Sequence, residues 1–254
     1  MPFSISPLSQ PEPENNCADC LYMTLAGIPV QPVEHPDYLE FLQPFPMPQI
    51  DLYLTLKFSQ QWESLPQGRI QFGLKGGALR LRVEGGEIPY ESRIMGSLEL
   101  GVPTVETDSP TNRQIRDRIS GEFDMLTLDS QENGATEQPS LNGKPNHYSI
   151  CHITTKVTEE NPAWIFEEER GQPVLNGWLN QVKLGTLNVS ALPCRLDATF
   201  EVSRRDICLT HVDRLWSPDI SRNKRAVLDR LIIQQLLERK FKPYLSRVEL
   251  HYDG

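Results

Sequence analysis

The strongest constraint on this chain is a strict two-residue alternation of apolar and polar side chains. Ile50, Leu52, Leu54, Leu56 and Phe58 alternate with Asp51, Tyr53, Thr55, Lys57 and Ser59. Leu79, Leu81 and Val83 alternate with Arg80, Arg82 and Glu84, and Leu196, Ala198, Phe200 and Val202 repeat the rhythm. Only an extended strand sends every second side chain to one face, so each run predicts a strand with one face in a core and one in water. Ile70, Phe72 and Leu74 add another after a Pro66-Gln67-Gly68 turn. Gly76-Gly77 and Gly85-Gly86 read as further turns, so 50–90 is expected to form an antiparallel meander. More strands are expected at 94–102, 148–157, 163–168, 183–189, 207–211 and 248–252, with Arg204-Arg205-Asp206 as a turn.

One segment has the other period. Val227, Leu228, Leu231, Ile232, Leu236 and Phe241 recur at spacings that line one face of a helix, and Ile233 and Leu237 widen that stripe. Ser217-Pro218-Asp219 offers a turn before it, Ser221 can cap its start, and Pro243 stops it. Many strands and a single amphipathic C-terminal helix predict a mainly β fold, an antiparallel β-sandwich or partly open barrel whose helix is buried and closes one end.

The organisation expected is a flexible N-terminal arm over 1–20, rich in Pro, Ser, Asn and Glu, followed by a single β-rich domain over 21–254. Within it, 21–48 mixes apolar residues with prolines and reads as extended, polyproline-like chain. A polar stretch at about 106–146 interrupts the strand pattern and reads as a mobile excursion between two halves.

Composition narrows the setting. The 38% hydrophobic and 23% charged content is that of a globular protein. The start has no basic segment followed by an apolar run, so a secretory signal is not expected, and no stretch approaches the ~20 apolar residues needed to span a bilayer. Five irregularly spaced cysteines, Cys17, Cys20, Cys151, Cys194 and Cys208, then point to reduced thiols and a cytoplasmic location. The net charge of −9 is unevenly spread: 204–247 carries eleven Lys and Arg against five Asp and Glu, a local +6 that leaves −15 elsewhere. An acidic body repels nucleic acid, while a basic stretch can meet a phosphate or an acidic partner.

The familiar chemistries are missing. Gly73-Leu74-Lys75-Gly76-Gly77 sits between two alternating runs and opens no helix, so it reads as a hairpin turn and not as a dinucleotide cradle. Asp129 to Gly134 has the opening rhythm of a calcium loop, but Ser140 stands where a bidentate carboxylate is needed. Cys17-Ala18-Asp19-Cys20 supplies only half of a tetrahedral zinc site, and a redox role needs the pair at a helix N-terminus, whereas this arm reads as unstructured. Cys151 and His152 would point to opposite faces of a strand. No G-x-S-x-G elbow is present, Glu167, Glu168 and Glu169 read as a solvated strand end, and Trp62, Trp164, Trp178 and Trp216 fit core filling better than sugar platforms. No cofactor is expected.

The best local site left is Ser221, Arg222, Asn223, Lys224 and Arg225 at the helix start. Free backbone N–H groups, the positive end of the dipole and three cations coincide there, and the competing reading pairs those cations with Asp219 and Asp229.

The runs Leu74-Lys75-Gly76-Gly77-Ala78-Leu79-Arg80-Leu81-Arg82, Gly86-Glu87-Ile88-Pro89-Tyr90-Glu91-Ser92-Arg93, Ile220-Ser221-Arg222-Asn223-Lys224-Arg225-Ala226-Val227 and Lys242-Pro243-Tyr244-Leu245-Ser246-Arg247-Val248-Glu249-Leu250 resemble stretches of an uncharacterised family of cyanobacterial proteins with no known function. The resemblance spans 50–254 and implies a bacterial cytoplasm. It implies no activity, ligand or catalytic residue. The function expected is a non-enzymatic interaction module whose partner is another protein. Two alternatives stay open: a nucleic-acid or phosphorylated-ligand binder using the basic helix start, and a hydrolase whose site is assembled from distant strands.

Overall fold

The computed structural model describes residues 13–30, 48–101, 149–156, 161–217 and 219–253. Residues 1–12 and the excursion at about 106–146 lie outside the described residues. The fold is mainly β, built of antiparallel sheets with one C-terminal helix, as a sandwich or open barrel without closure.

Fourteen strands are described: β1 (Glu14–Asn15), β2 (Leu21–Val30), β3 (Gln49–Phe58), β4 (Gln61–Leu65), β5 (Gly68–Leu74), β6 (Gly76–Glu84), β7 (Gly86–Glu87), β8 (Gly96–Glu99), β9 (Ile150–Lys156), β10 (Ala163–Glu168), β11 (Gly177–Val189), β12 (Cys194–Glu201), β13 (Ile207–Asp213) and β14 (Ser246–Tyr252). They form a seven-stranded sheet in the order β1-β14-β12-β6-β10-β9-β8, a four-stranded sheet β2-β3-β11-β7, and a three-stranded sheet β13-β5-β4. The alternation survives in three dimensions: Ile50, Leu52, Leu54, Leu56 and Phe58 are all buried, as are Leu196, Ala198 and Phe200. The two larger sheets meet through these faces. Phe58 of β3 stands edge-on to Phe200 of β12 at 6.0 Å, and Phe200 in turn lies 5.8 Å from Phe166 of β10.

The glycine pairs correct the expected meander. β5 and β6 do not fold back on one another, because they belong to different sheets, joined at Lys75. Gly76 and Gly77 lie inside β6 and serve close approach. A Cβ on Gly76 would sit 2.1 Å from the Phe166 carbonyl oxygen, and one on Gly77 would sit 2.4 Å from Phe200 Cε1. The bend between sheets is tied down on every side. Lys75 N–H donates to Asp206 O (2.6 Å), Glu168 N–H to Lys75 O (2.9 Å), and Leu175 N–H to Leu74 O (2.6 Å).

Two further expectations change. The stretch 21–30 is a full strand with every residue paired to β3, from Leu21↔Phe58 to Val30↔Gln49, and not polyproline-like chain. Pro29 is tolerated because β2 is a terminal strand of its sheet, where a missing N–H need not break a ladder. Residues 13–20, the end of the expected arm, are built into the fold: Glu14 and Asn15 pair with Arg247 and Ser246, and Cys17 and Cys20 are buried.

The helix, α1, runs as Arg222–Ile232, a π-helical stretch Ile233–Leu237 and a last turn Glu238–Lys240. Its packing also departs from expectation, since it is not buried as a whole. Ile233, Leu237 and then Phe241 are buried in the core, Ile232 and Leu236 pack against it, and Phe241 lies on Phe72 of β5 at 5.7 Å. Val227 and Leu231 lie on a different side of the helix from Ile233 and face water.

Candidate functional site

The structure brings the residues singled out at the helix start together on one exposed tip. Ser221 is the N-cap: its side chain accepts from the Lys224 backbone N–H at 3.4 Å. The cap satisfies one of the orphan donors an incoming anion would use. Ser221→Ala is expected to cost about 0.5–1 kcal/mol locally, read as roughly two- to fivefold faster amide exchange across the first turn. Ser221, Arg222, Asn223, Lys224 and Arg225 are all exposed.

Their charges are largely unspent. Among the described residues Arg222, Lys224 and Arg230 make no ion pair, and Arg225 acts on Asp229 one turn later. Among the described residues none of these cations forms the expected ion pair with Asp229 or Asp219; Arg225 acts on Asp229 only through space. Partial burial raises the Asp229 carboxyl above its ordinary range, with Arg225 opposing, and its Oδ1 has no hydrogen-bond partner among the described residues. Four other cations of 204–247 behave differently. Arg204 and Lys242 share Glu238, Lys240 pairs with Glu63 at 2.7 Å, and Arg247 grips Asp197 with two bonds of 2.9 Å.

Sequence reasoning missed the apolar half of this tip. No residue of Arg222–Ile232 is buried, and Val227 and Leu231 are 55% and 47% exposed. Ile220, Asn223, Lys224, Val227 and Leu228 line an open depression of about 380 Å³. Positions 220, 224, 227, 228 and 231 share one helix face by spacing, so the tip presents an apolar stripe with cations beside it. The apolar positions were visible in the sequence. What could not be read was how far the helix runs past the sheet that covers its other end.

A second depression, about 190 Å³, lies on the outer face of β6, β12 and β14 and is lined by Arg82, Glu84, Arg195, Asp197, Arg247, Glu249 and His251 among others. It collects a histidine and three carboxylates, the feature a hydrolase would need. Each carboxylate is already engaged: Asp197 and Glu249 with Arg247, and Glu84 with Arg82 at 3.1 Å. A general base needs a free lone pair aimed at a substrate proton, and these are committed to arginines.

The cysteine pair sits elsewhere, where the turn before β2 meets β4 and the end of α1. Cys20 N–H and Leu21 N–H both donate to the Cys17 carbonyl, at 3.0 and 3.1 Å. Cys17 Sγ lies 2.6 Å from Gln61 Oε1, and the Lys240–Glu63 ion pair stands alongside. The other three cysteines are scattered. Burial pushes the Cys151 thiol up to about 12 and raises those of Cys194 and Cys208. Among the described residues no three His, Cys, Asp or Glu side chains are grouped to hold a metal ion. His152 bonds Ser97 Oγ through Nδ1 at 2.9 Å while Cys151 faces the core, on opposite sides of β9.

Of the tryptophans, Trp164 is fully buried and Trp62 is 41% exposed, with the Arg69 guanidinium 4.5 Å over its ring and His211 5.5 Å away. No helix among the described residues is long and apolar enough to cross a membrane. Comparison with known proteins finds no matching family model, no matching curated protein and no matching solved structure.

Proposed function

We propose that this chain is a non-enzymatic interaction module that docks another protein through the projecting first half of α1. One observation carries the reading: an eleven-residue helical stretch buries none of its own residues, yet exposes Val227 and Leu231 in a stripe flanked by unpaired cations. A solvated helix has no need of such a stripe, whereas a helix laid in a partner's groove uses it as its anchor. The cations beside it specify the rim. The fitting partner is a protein with an apolar groove bordered by carboxylates, and Arg222, Lys224 and Arg230 would meet that border.

The test is capture from a bacterial lysate at low and high salt, with nuclease treatment, comparing the native chain with Val227→Asp/Leu231→Asp and with Arg222→Glu. The apolar variant is expected to lose about 2 kcal/mol or more, roughly thirtyfold in affinity, for a nuclease-resistant protein. Its melting temperature should stay unchanged, because both side chains are already in water. Arg222→Glu should slow association and flatten its salt dependence. A partner retained by the apolar variant would sink this reading. Nucleic acid recovered by the native chain, and released by high salt or by Arg222→Glu, would replace it with phosphate-backbone binding at the helix start.

A further inference from the structure

We propose that Cys17 and Cys20 form a redox-active dithiol, oxidised by hydrogen peroxide to an intramolecular disulfide, with Cys17 the attacking thiol and Cys20 the resolving one. The turn geometry makes the bridge reachable. Cys20 N–H donating to Cys17 O defines a four-residue turn, which holds the two Cα atoms within about 7 Å, and a disulfide needs a separation of about 4.4–6.8 Å. The turn is braced so that both thiols stay on its inner side. Asn15 Oδ1 accepts from the Cys17 N–H at 2.8 Å, Asn15 Nδ2 donates to Leu21 O at 2.6 Å, and Asn16 Nδ2 donates to Tyr244 O at 2.7 Å.

The surroundings divide the roles. Cys17 Sγ donates to Gln61 Oε1 at 2.6 Å, and Cys17 is the less deeply buried of the two, 4% against 0% exposed. The adjoining Cys20 thiol and the Lys240 ammonium lower its pKa, against burial and the Glu63 carboxylate. The neighbouring Cys17 sulfur, with burial, raises Cys20, so Cys17 is the thiol that ionises more readily. A thiolate held beside a cation is the nucleophile in cysteine oxidation. Cys151, Cys194 and Cys208 have no second thiol to close with and are raised by burial.

The steps balance. The Cys17 thiolate attacks one peroxide oxygen, an S–O bond forms, the O–O bond breaks, and the departing hydroxide takes a proton to leave as water. Cys17 is then a sulfenic acid. The Cys20 sulfur attacks that sulfur, an S–S bond forms, the S–O bond breaks, and the hydroxide leaves with the Cys20 proton as a second water. Two thiols lose two electrons and the peroxide is reduced to two waters. Entry requires only local opening of the turn. β1, which holds it from the N-terminal side, is two residues long, and Ala18 and Asp19 at the tip are exposed.

The experiment treats the reduced full chain with stoichiometric hydrogen peroxide and reads intact mass and peptide linkage, beside Cys17→Ser and Cys20→Ser. The native chain is expected to lose two hydrogens, to show a Cys17–Cys20 linkage in its peptides, and to regain them with dithiothreitol. Cys20→Ser should stop at a sulfenic acid on Cys17 that dimedone captures, and Cys17→Ser should react at least about tenfold more slowly. The native chain alone decides the matter if either variant folds poorly. The proposal is overturned if Cys17 and Cys20 remain open to alkylation in the unfolded chain after peroxide has oxidised the other cysteines. It is equally overturned if linkages form only between molecules, or if Cys17→Ser reacts as fast as the native chain.

Discussion

Phe200→Ala is expected to lower the unfolding free energy by about 3–5 kcal/mol, more than any surface change in this chain. Phe200 is the side chain that both large sheets share. It meets Phe58 from the four-stranded sheet at 6.0 Å and Phe166 from its own sheet at 5.8 Å, and its ring fills the space a Cβ on Gly77 would need. Removing the ring leaves a cavity the fold cannot readily close. β12 is held at full register between β14 and β6, from Arg195↔His251 to Phe200↔Ser246 on one side and from Arg195↔Glu84 to Glu201↔Ala78 on the other. A strand pinned on both edges does not sink into a void. Urea unfolding should show a lower midpoint with an unchanged slope, and Phe200→Leu should recover a large part of the loss. A loss below about 1 kcal/mol would mean that the two sheets do not depend on this contact.

The second large effect is steric. Gly76→Ala is expected to cost about 3 kcal/mol, because its Cβ would meet the Phe166 carbonyl oxygen at 2.1 Å and backbone cannot swing aside as a side chain can. Relief requires β6 and β10 to part where Phe166↔Gly77 and Glu167↔Gly76 pair. Gly101→Ala is the matched control: a Cβ there meets only Trp178 O, at an ordinary 3.7 Å, so its effect should stay within about 0.5 kcal/mol. Equal melting temperatures for the two variants would contradict the close approach.

The same glycines show what a sequence conceals. Gly76-Gly77 between two alternating runs is the pattern of a hairpin turn, yet a missing Cβ serves equally well where one backbone must pass against another. Nothing local distinguishes the two uses, because the atoms that forbid the Cβ come from β10 and β12, 90 and more positions away. Where burial is set by the strand's own neighbours, reading was direct: Ile50 to Phe58 and Leu196 to Phe200 are strands with the expected inward faces, and Ala163 to Glu168 is a strand as expected. β2 was hidden by Pro29, whose tolerance depends on its being a terminal strand. In α1 the stripe was legible and the Ser221 cap was found, but the coverage of that stripe depends on where the three-stranded sheet ends. The Cys17–Cys20 pair was seen as a motif. Its setting was not, because Gln61 and Lys240 reach it from distant parts of the chain.

The joint at Lys75 bears on how this molecule can respond to anything that pulls on it. Load placed on α1 reaches the sheets by more than one route: through the Phe241–Phe72 contact and the Lys240–Glu63 pair into the three-stranded sheet, whose β5 continues through Lys75 into β6, and along 241–245 into β14 of the widest sheet. A hinge between β5 and β6 would need slack at Lys75, which is instead clamped by its own N–H and C=O, with the neighbouring Leu74 carbonyl held as well. The helix is therefore mounted like a bracket on a stiff wall: whatever grips its outer half meets a fixed lever, and yielding is left to the helix tip itself.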